Sequence, residues 1–256
     1  MAAEQQQVAR HFSRAAVNYH QHDAIQQYFG RQLLSYLPQP VDQLIDIGCG
    51  PGSLRPLLGK HCRNYLGIDL AAGMVRQAKQ NFPDDIWLQA CAEQLPLQND
   101  SVDAYFANLS LQWSPSLHSV FSEALRILKP GARAVFNLPV AGTLSELSSC
   151  WRKIDERPHI RRFHSLTEVL TCLEGIGISH YQHRLDEQQQ YFPDLRSLLA
   201  SIKGVGASYV GPRQAAGLLS PRRFQRVVSS YEKYRQEKGL PLNWKVLSVC
   251  FEKQVN

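Results

Sequence analysis

The sequence predicts an α/β fold, a mostly parallel sheet flanked by helices, on three observations. Between residues 43 and 138 short apolar runs alternate with amphipathic stretches, the pattern that βαβ units produce. A glycine-rich turn closes the first of those runs and opens the first amphipathic stretch. The chain has 256 residues, 44% of them hydrophobic, enough for one large core.

Taken in order, residues 1–40 form an N-terminal helical cap. Its helical region, 5–37, carries Ile25, Tyr28, Phe29, Leu33 and Leu37 on one stripe and is closed by Pro38 and Pro40. Residues 41–140 form a ligand-binding core, with strands expected at 44–48, 65–70, 86–90, 102–109 and 132–138. Helices are expected at 52–58, 73–81 and 117–128; in the last, Val120, Phe121, Ala124, Leu125 and Leu128 share a face. Pro130-Gly131 should end that helix and turn the chain into the fifth strand. Residues 141–220 break the alternation, are rich in Arg and His, and read as short helices between loops. An insert of that size after a regular core serves as a lid or specificity element rather than a second domain. In 221–256, Ser220-Pro221 caps a helix with Phe224, Val227, Val228, Tyr231 and Tyr234 on its apolar face, and 244–251 is a last strand. All 256 residues thus read as one domain.

Composition narrows the function classes. Lys+Arg number 28 and Asp+Glu 22, a net charge of +6 that is too small to indicate nucleic-acid binding and that suits an acidic partner or substrate. Cys49, Cys62, Cys91, Cys150, Cys172 and Cys250 include no Cys-x-x-Cys pair and no nearby His pair at zinc spacing, so reduced thiols in a cytoplasmic protein, with no metal, are expected. The Gln-rich start lacks a signal peptide's apolar segment, and no run of about 18 apolar residues occurs, so no membrane role is expected. No feature sets an oligomeric state.

The most informative segment is Leu44-Ile45-Asp46-Ile47-Gly48-Cys49-Gly50-Pro51-Gly52, a buried-strand pattern running into a turn whose backbone N–H groups can approach a ligand closely. About twenty residues on, Asp69 ends the second strand, where a carboxylate can accept both hydroxyls of a ribose. Dinucleotides and S-adenosylmethionine both offer that ribose. A dinucleotide fingerprint needs a glycine at position 53, where Ser53 stands. Asp46 would repel a pyrophosphate at this turn, yet it can help to hold a zwitterionic amino acid. Cys49 has no His beside it to activate it and reads as a space-filler next to the ligand rather than a nucleophile.

This D-x-G-x-G-x-G pattern resembles the first motif of the class I, S-adenosylmethionine-dependent methyltransferases. That resemblance implies a Rossmann-like class I methyltransferase fold with a mostly parallel seven-stranded sheet and a helical lid insert. It also implies S-adenosylmethionine as cofactor, held by Asp46, Gly48, Cys49, Gly50, Gly52, Asp69, Leu70, Met74, Ala92, Glu93 and Asn108. Cys91-Ala92-Glu93-Gln94-Leu95-Pro96 is similar to the family's D-A-E-x-L-P segment, with Cys91 in place of the acid that meets the adenine amino group. Ala92 backbone or Glu93 would then supply that acceptor.

Three further segments resemble the malonyl-acyl-carrier-protein O-methyltransferases of biotin synthesis. They are Phe12-Ser13-Arg14-Ala15-Ala16-Val17-Asn18-Tyr19; Asn108-Leu109-Ser110-Leu111-Gln112-Trp113; and an insert with Gly142 to Leu147, Trp151, Asp155 to His159, Arg162-Phe163 and Lys203 to Ala207. The resemblance implies methylation of the free carboxylate of malonyl-acyl carrier protein, with Arg162 as a bidentate clamp on that carboxylate. A carboxylic acid of pKa about 4 is already ionised near neutrality, so no general base is expected. Tyr19, Trp113 and His159 are candidate positioning residues, each with core packing as the alternative. Arg152, Arg157, Arg161, Arg213, Arg222 and Arg223 are candidates for a face that docks the acidic carrier. Two other readings remain open on sequence: a quinone-type small-molecule C- or O-methyltransferase, and a non-catalytic adenosyl- or carrier-binding module.

Overall fold

The structure is a computed structural model that describes residues 3–38, 40–154, 158–207 and 220–255. Strands β1 (Val41–Ile47), β2 (Cys62–Asp69), β3 (Ile86–Gln89), β4 (Val102–Asn108), β5 (Leu128–Pro139), β6 (Tyr181–Phe192) and β7 (Leu240–Glu252) form one sheet, in the order β3-β2-β1-β4-β5-β7-β6. Only β7 runs against the others.

Side chains alternate across the sheet and so feed two apolar layers. Ile45, Tyr105 and Ala107 face α5 (Leu117–Ile127) and α7 (Leu166–Gly175), meeting Val120, Phe121, Val169 and Leu173. Their neighbours Leu44, Ala104 and Phe106 face the other way, onto Leu33 of α2 (Ala24–Leu33), Leu58 of α3 (Arg55–Leu58) and Ala78 of α4 (Ala72–Asn81). Burial on both faces is what a central parallel strand requires, and it explains why these strands read as near-continuous apolar runs.

The N-terminal region is helical as expected, in four pieces: α1 (Ala3–Ala15), a 3₁₀ turn over Ala16–Gln21, α2, and a second 3₁₀ turn over Leu34–Tyr36. Three expectations need correction. The helix expected at 52–58 keeps only the single turn of α3. Pro130-Gly131 lies inside β5, where the pairing with β4 shifts register between Val102 and Ala104; Gly131, at φ 78°, donates its N–H to the Lys253 carbonyl at 2.8 Å. The third concerns 141–220, which holds α6 (Ser145–Arg152), α7 and α8 (Leu195–Gly204), but also the twelve-residue strand β6. That strand is polar because it is an edge: its one partner is β7, half of its residues are exposed and none is fully buried. Helix α9 (Pro221–Tyr231) starts where expected, with the Ser220 side chain accepting the Arg223 N–H. No helix of the described residues is long and apolar enough to cross a membrane.

Helix α1 is seated on the N-terminus of α4. The Gly73 N–H donates to Ser13 Oγ at 3.0 Å, and a Cβ at Gly73 would lie 2.5 Å from the Ser13 carbonyl oxygen. Because that neighbour is backbone, it cannot rotate away. Gly73→Ala should therefore cost about 1–3 kcal/mol as an overpacking substitution and detach α1 first. Limited proteolysis near residues 3–15 should accelerate well before the global unfolding midpoint falls, and unchanged cleavage would show that α1 is not anchored here.

Candidate active site

The sheet order reverses at β1, between β2 and β4, and the crevice outside the strand C-termini at that reversal is where open α/β sheets bind ligands. The glycine turn lies there, with Gly48 at φ 70°, Gly50 at φ 57° and Gly52 at φ 82°. Its N–H groups at Gly48 and Cys49 both donate to the Ile68 carbonyl, at 2.7 and 3.1 Å, which ties the turn to the end of β2. Asp69 completes the tie: Oδ2 accepts the Gly50 N–H at 3.0 Å and Oδ1 the Ala71 N–H at 2.7 Å. Burial lifts the Asp69 carboxyl to about 6 against the pull of those two bonds.

A cavity of about 770 Å³, counting the open space of its mouth, lies on this turn. Of the residues singled out for a cofactor, Gly48, Gly50, Asp69 and Asn108 line it at the strand ends, and Leu70, Met74, Ala92 and Glu93 line it beyond β2 and β3. Cys91 is also on its wall. Three expected residues do not reach it. Asp46 is 2% exposed and accepts the Tyr65 hydroxyl at 2.8 Å. Cys49 points its thiol inward, 3.6 Å from the Gly50 carbonyl, where burial raises its pKa and keeps it neutral. Gly52 seats the turn on the rings of Trp87 and Phe82; a Cβ there would lie 2.9 Å from Trp87. These residues shape the turn from below.

The roof is α1, whose Gln5, Val8, Ala9 and Phe12 line the same cavity. On sequence only the end of this helix is marked, by the segment 12–19; Gln5, Val8 and Ala9 carry no ligand signature. Glu93 links roof to floor, its Oε1 accepting Gln5 Nε2 at 3.1 Å and Ser114 Oγ at 2.5 Å. Asn108 fixes the end of β4, donating from Nδ2 to the Gln26 carbonyl and accepting from Asn137 Nδ2, each at 3.0 Å.

A second cavity adjoins the first, and Phe12, Tyr19, Leu109 and Trp113 form walls of both. Most of its other walls come from the insert and β7, among them Leu147 and Trp151 of α6, Phe163, and Trp244. His159 lines it too, stacked on Trp151 with ring centroids 4.0 Å apart. Burial, with Asp23 and Asp69 nearby, raises the Tyr19 phenol, so it stays protonated.

The two adjacent arginines part company. Arg162, the expected clamp, is 75% exposed and pairs with Glu168 at 2.5 Å, outside the cavity. Glu168 belongs to the capping box that starts α7, and the Ser165 backbone N–H, helped by the Arg162 guanidinium, holds its carboxyl at about 2. Arg161 is the arginine on the cavity wall. Its side chain is 17% exposed, with the guanidinium 5.2 Å from the Trp113 ring centroid and Nη1 3.2 Å from Glu4 Oε1. Lys203 of α8 stands at the same cavity's rim. Arg157 and Arg213 lie outside the described residues.

Residues 45–136 match a family described as a methyltransferase domain. Malonyl-[acyl-carrier protein] O-methyltransferases of Alcanivorax borkumensis and Enterobacter lignolyticus are each 31% identical to this chain; each match covers 96% of it, and 86% and 96% of those proteins respectively. The biotin biosynthesis bifunctional protein BioHC of Cellvibrio japonicus is 34% identical over 96% of this chain, which spans 49% of that longer relative. Among solved structures, the YcgJ protein of Bacillus subtilis aligns at a TM-score of 0.63 with 17% identity, over 90% of this chain and 99% of that one. A geranyl diphosphate C-methyltransferase of Streptomyces coelicolor A3(2) aligns at 0.51 with 21% identity, over 88% and 78%. Those two likenesses are of fold. The seven-stranded, mostly parallel sheet is the class I methyltransferase architecture that the resemblance implied.

Asp46 gives the site a pH signature. Burial lifts its carboxyl to about 7, opposed by the Tyr65 hydroxyl and reinforced by Asp69. The folded chain therefore keeps a proton that an unfolded carboxyl, of pKa about 4, has released, and stability declines as pH rises through that window. Asp46→Asn abolishes the titration while leaving an acceptor for Tyr65. In urea unfolding of the ligand-free protein, the variant should gain stability relative to the parent chain from about pH 5 to about pH 8. A pH-independent difference would mean that Asp46 is ionised throughout.

Proposed function

The chain belongs to the malonyl-[acyl-carrier protein] O-methyltransferase family, and from that premise we propose that it methylates the free carboxylate of a malonyl thioester on an acyl carrier protein, with S-adenosylmethionine as donor, in the synthesis of biotin. The observation that carries this reading is a nearly buried cation, Arg161, in a cavity that shares its walls with the cavity of the glycine turn.

The first cavity fits the donor. Each Asp69 oxygen accepts one backbone N–H and keeps a further lone pair, which suits the two hydroxyls of a ribose. Gly48 and Gly50 bring the backbone to the cavity with no side chain in the way, as an amino-acid end requires. Leu70 and Met74 offer an apolar edge to an adenine, and Ala92 backbone or Glu93 Oε2 an acceptor for its amino group, in place of the acid that Cys91 replaces. When bound, the donor supplies a methyl group on a cationic sulfur.

The residues around the second cavity then have only to position the acceptor. Its carboxylate, with a pKa of about 4, arrives ionised, so a general base is superfluous. The side chains agree with that: Tyr19 holds its proton and Cys49 faces away. Arg161 offers a planar fork that binds a carboxylate bidentately, and it takes Glu4 as a stand-in until the substrate displaces it. Lying against Trp113, a wall of both cavities, it presents the carboxylate at their junction. Phe12, Tyr19 and Trp113 give that junction an aromatic lining. Alignment of this kind can reach effective molarities of about 10⁵ M or more. The product has lost its charged end, so enzymes that extend apolar acyl chains can accept it.

The test is methyl transfer from labelled donor to malonyl-carrier protein, and an unlabelled thioester would sink the assignment. Arg161→Ala should lower kcat/KM by about 100-fold, the scale for stranding a desolvated ion pair, with donor affinity held within about threefold. Arg162→Ala should leave both within about threefold, as a solvated pair does. Comparable losses in the two variants would return the clamp to Arg162.

A further inference from the structure

A groove on the outer side of the lid gathers Lys153, Arg222, Arg226 and Lys233 around Ile154, Ser229 and Ser230. Arg222, Arg226 and Lys233 fall at i, i+4 and i+11 along α9 and the 3₁₀ turn that continues it, Glu232–Tyr234, which places them on one face. Lys153 joins them from the end of α6, and all four are exposed. Several other cations are paired: Arg55, Lys129, Arg133 and Lys253 each meet a carboxylate. Among the described residues none of the four groove cations has such a partner, although like charges at this spacing repel one another.

We propose that this groove docks the acidic face of the carrier protein that delivers the substrate. The inference rests on the proposed function for the identity of the partner. Length argues for a protein rather than a small anion, since eleven positions at about 1.5 Å rise spread the cations over about 16 Å. So does placement. Helix α6 puts Leu147 and Trp151 on the wall of the acceptor cavity and its C-terminal neighbour Lys153 in the groove. A carrier held on the groove therefore has its acyl group one helix away from Arg161. The platform is rigid: Val227 and Tyr231 are buried against Leu147, Cys150 and Trp151, and the Tyr231 hydroxyl donates to the Pro241 carbonyl at 2.7 Å. Of the arginines expected at a docking face, Arg222 is in the groove and Arg161 is in the cavity.

The test is the triple substitution Arg222→Glu, Arg226→Glu and Lys233→Glu in the full chain, checked for an unchanged unfolding midpoint. KM for malonyl-carrier protein should rise at least about tenfold and lose its salt dependence, while turnover of malonyl-pantetheine, which has no protein to dock, stays unchanged. No change with either substrate, or an equal loss with both, overturns the groove as a docking site. If the parent chain methylates neither thioester, the proposed function fails, and calorimetry with the carrier protein itself decides the groove: binding abolished by the triple substitution supports it, and no binding by the parent chain overturns it. Binding of anionic phospholipid vesicles instead of the carrier, abolished by the same substitutions, overturns the carrier as the occupant.

Discussion

The Asp69 carboxylate joins the two loops on which the site is built. One oxygen holds the Gly50 N–H of the turn after β1, and the other the Ala71 N–H that precedes α4. Even a half-buried carboxylate is costly unless hydrogen-bonded, and these two bonds offset that cost. They also fix the position of everything that touches the turn. Gly50 lies under the Tyr19 ring, so the roof is set relative to β1; Gly48 lies so close to Ser110 that a Cβ would come within 2.2 Å of the Ser110 Cβ, so the end of β4 is set as well. Ser110 Oγ in turn donates to the Ile47 carbonyl at 2.8 Å. Floor, roof and far wall of the first cavity thus share one anchor.

The wall between the cavities depends on helix α1 and its continuation. Phe12 meets Trp113 edge to face at 5.2 Å, and Arg161 lies against the same indole. Glu4, near the start of α1, pairs with Arg161, while Gln5, its neighbour, reaches Glu93 on the opposite wall. The roof of one cavity is therefore tied to the cation of the other through consecutive residues of one helix. On the proposed function, displacement of Glu4 by an incoming carboxylate would loosen the roof and the insert together.

What the sequence made legible is local. Strand β1, the glycine turn and Asp69 are short-range patterns, with burial on both faces of β1 and positive φ at Gly48, Gly50 and Gly52 leaving direct marks on residue choice. Strand β6 left no such mark, because an edge strand paired on one side can be Tyr-Gln-His-Arg-Leu-Asp and still be held by its ladder with β7. The choice between Arg161 and Arg162 was equally hidden. They are adjacent in a segment without helix or strand, so no periodicity says which one turns inward. The decision is tertiary: Glu168 draws one guanidinium out toward α7, and Trp113 with Glu4 draws the other in. A capping box at Ser165-Leu166-Thr167-Glu168 is visible in the sequence, and it was the available clue that an acid would sit within reach of residue 162.

Part of the net charge of +6 gathers around α6 once the paired cations are set aside. Arg55, Arg126, Arg133 and Arg235 are each engaged by a carboxylate, and at solvated sites such pairs contribute little to stability or to long-range attraction. Among the described residues, unpaired cations lie on both sides of α6: Lys203 at the rim of the second cavity, and Lys153, Arg222, Arg226 and Lys233 in the groove beyond it. An anionic group approaching this side meets the groove as a broad field and Arg161 as a single desolvated fork. Broad, solvated charge accelerates encounter and tolerates variation in the partner, whereas a desolvated fork discriminates by geometry. On the proposed function, separation of the two by one helix would let the protein capture a large acidic partner loosely and hold its one reactive carboxylate tightly.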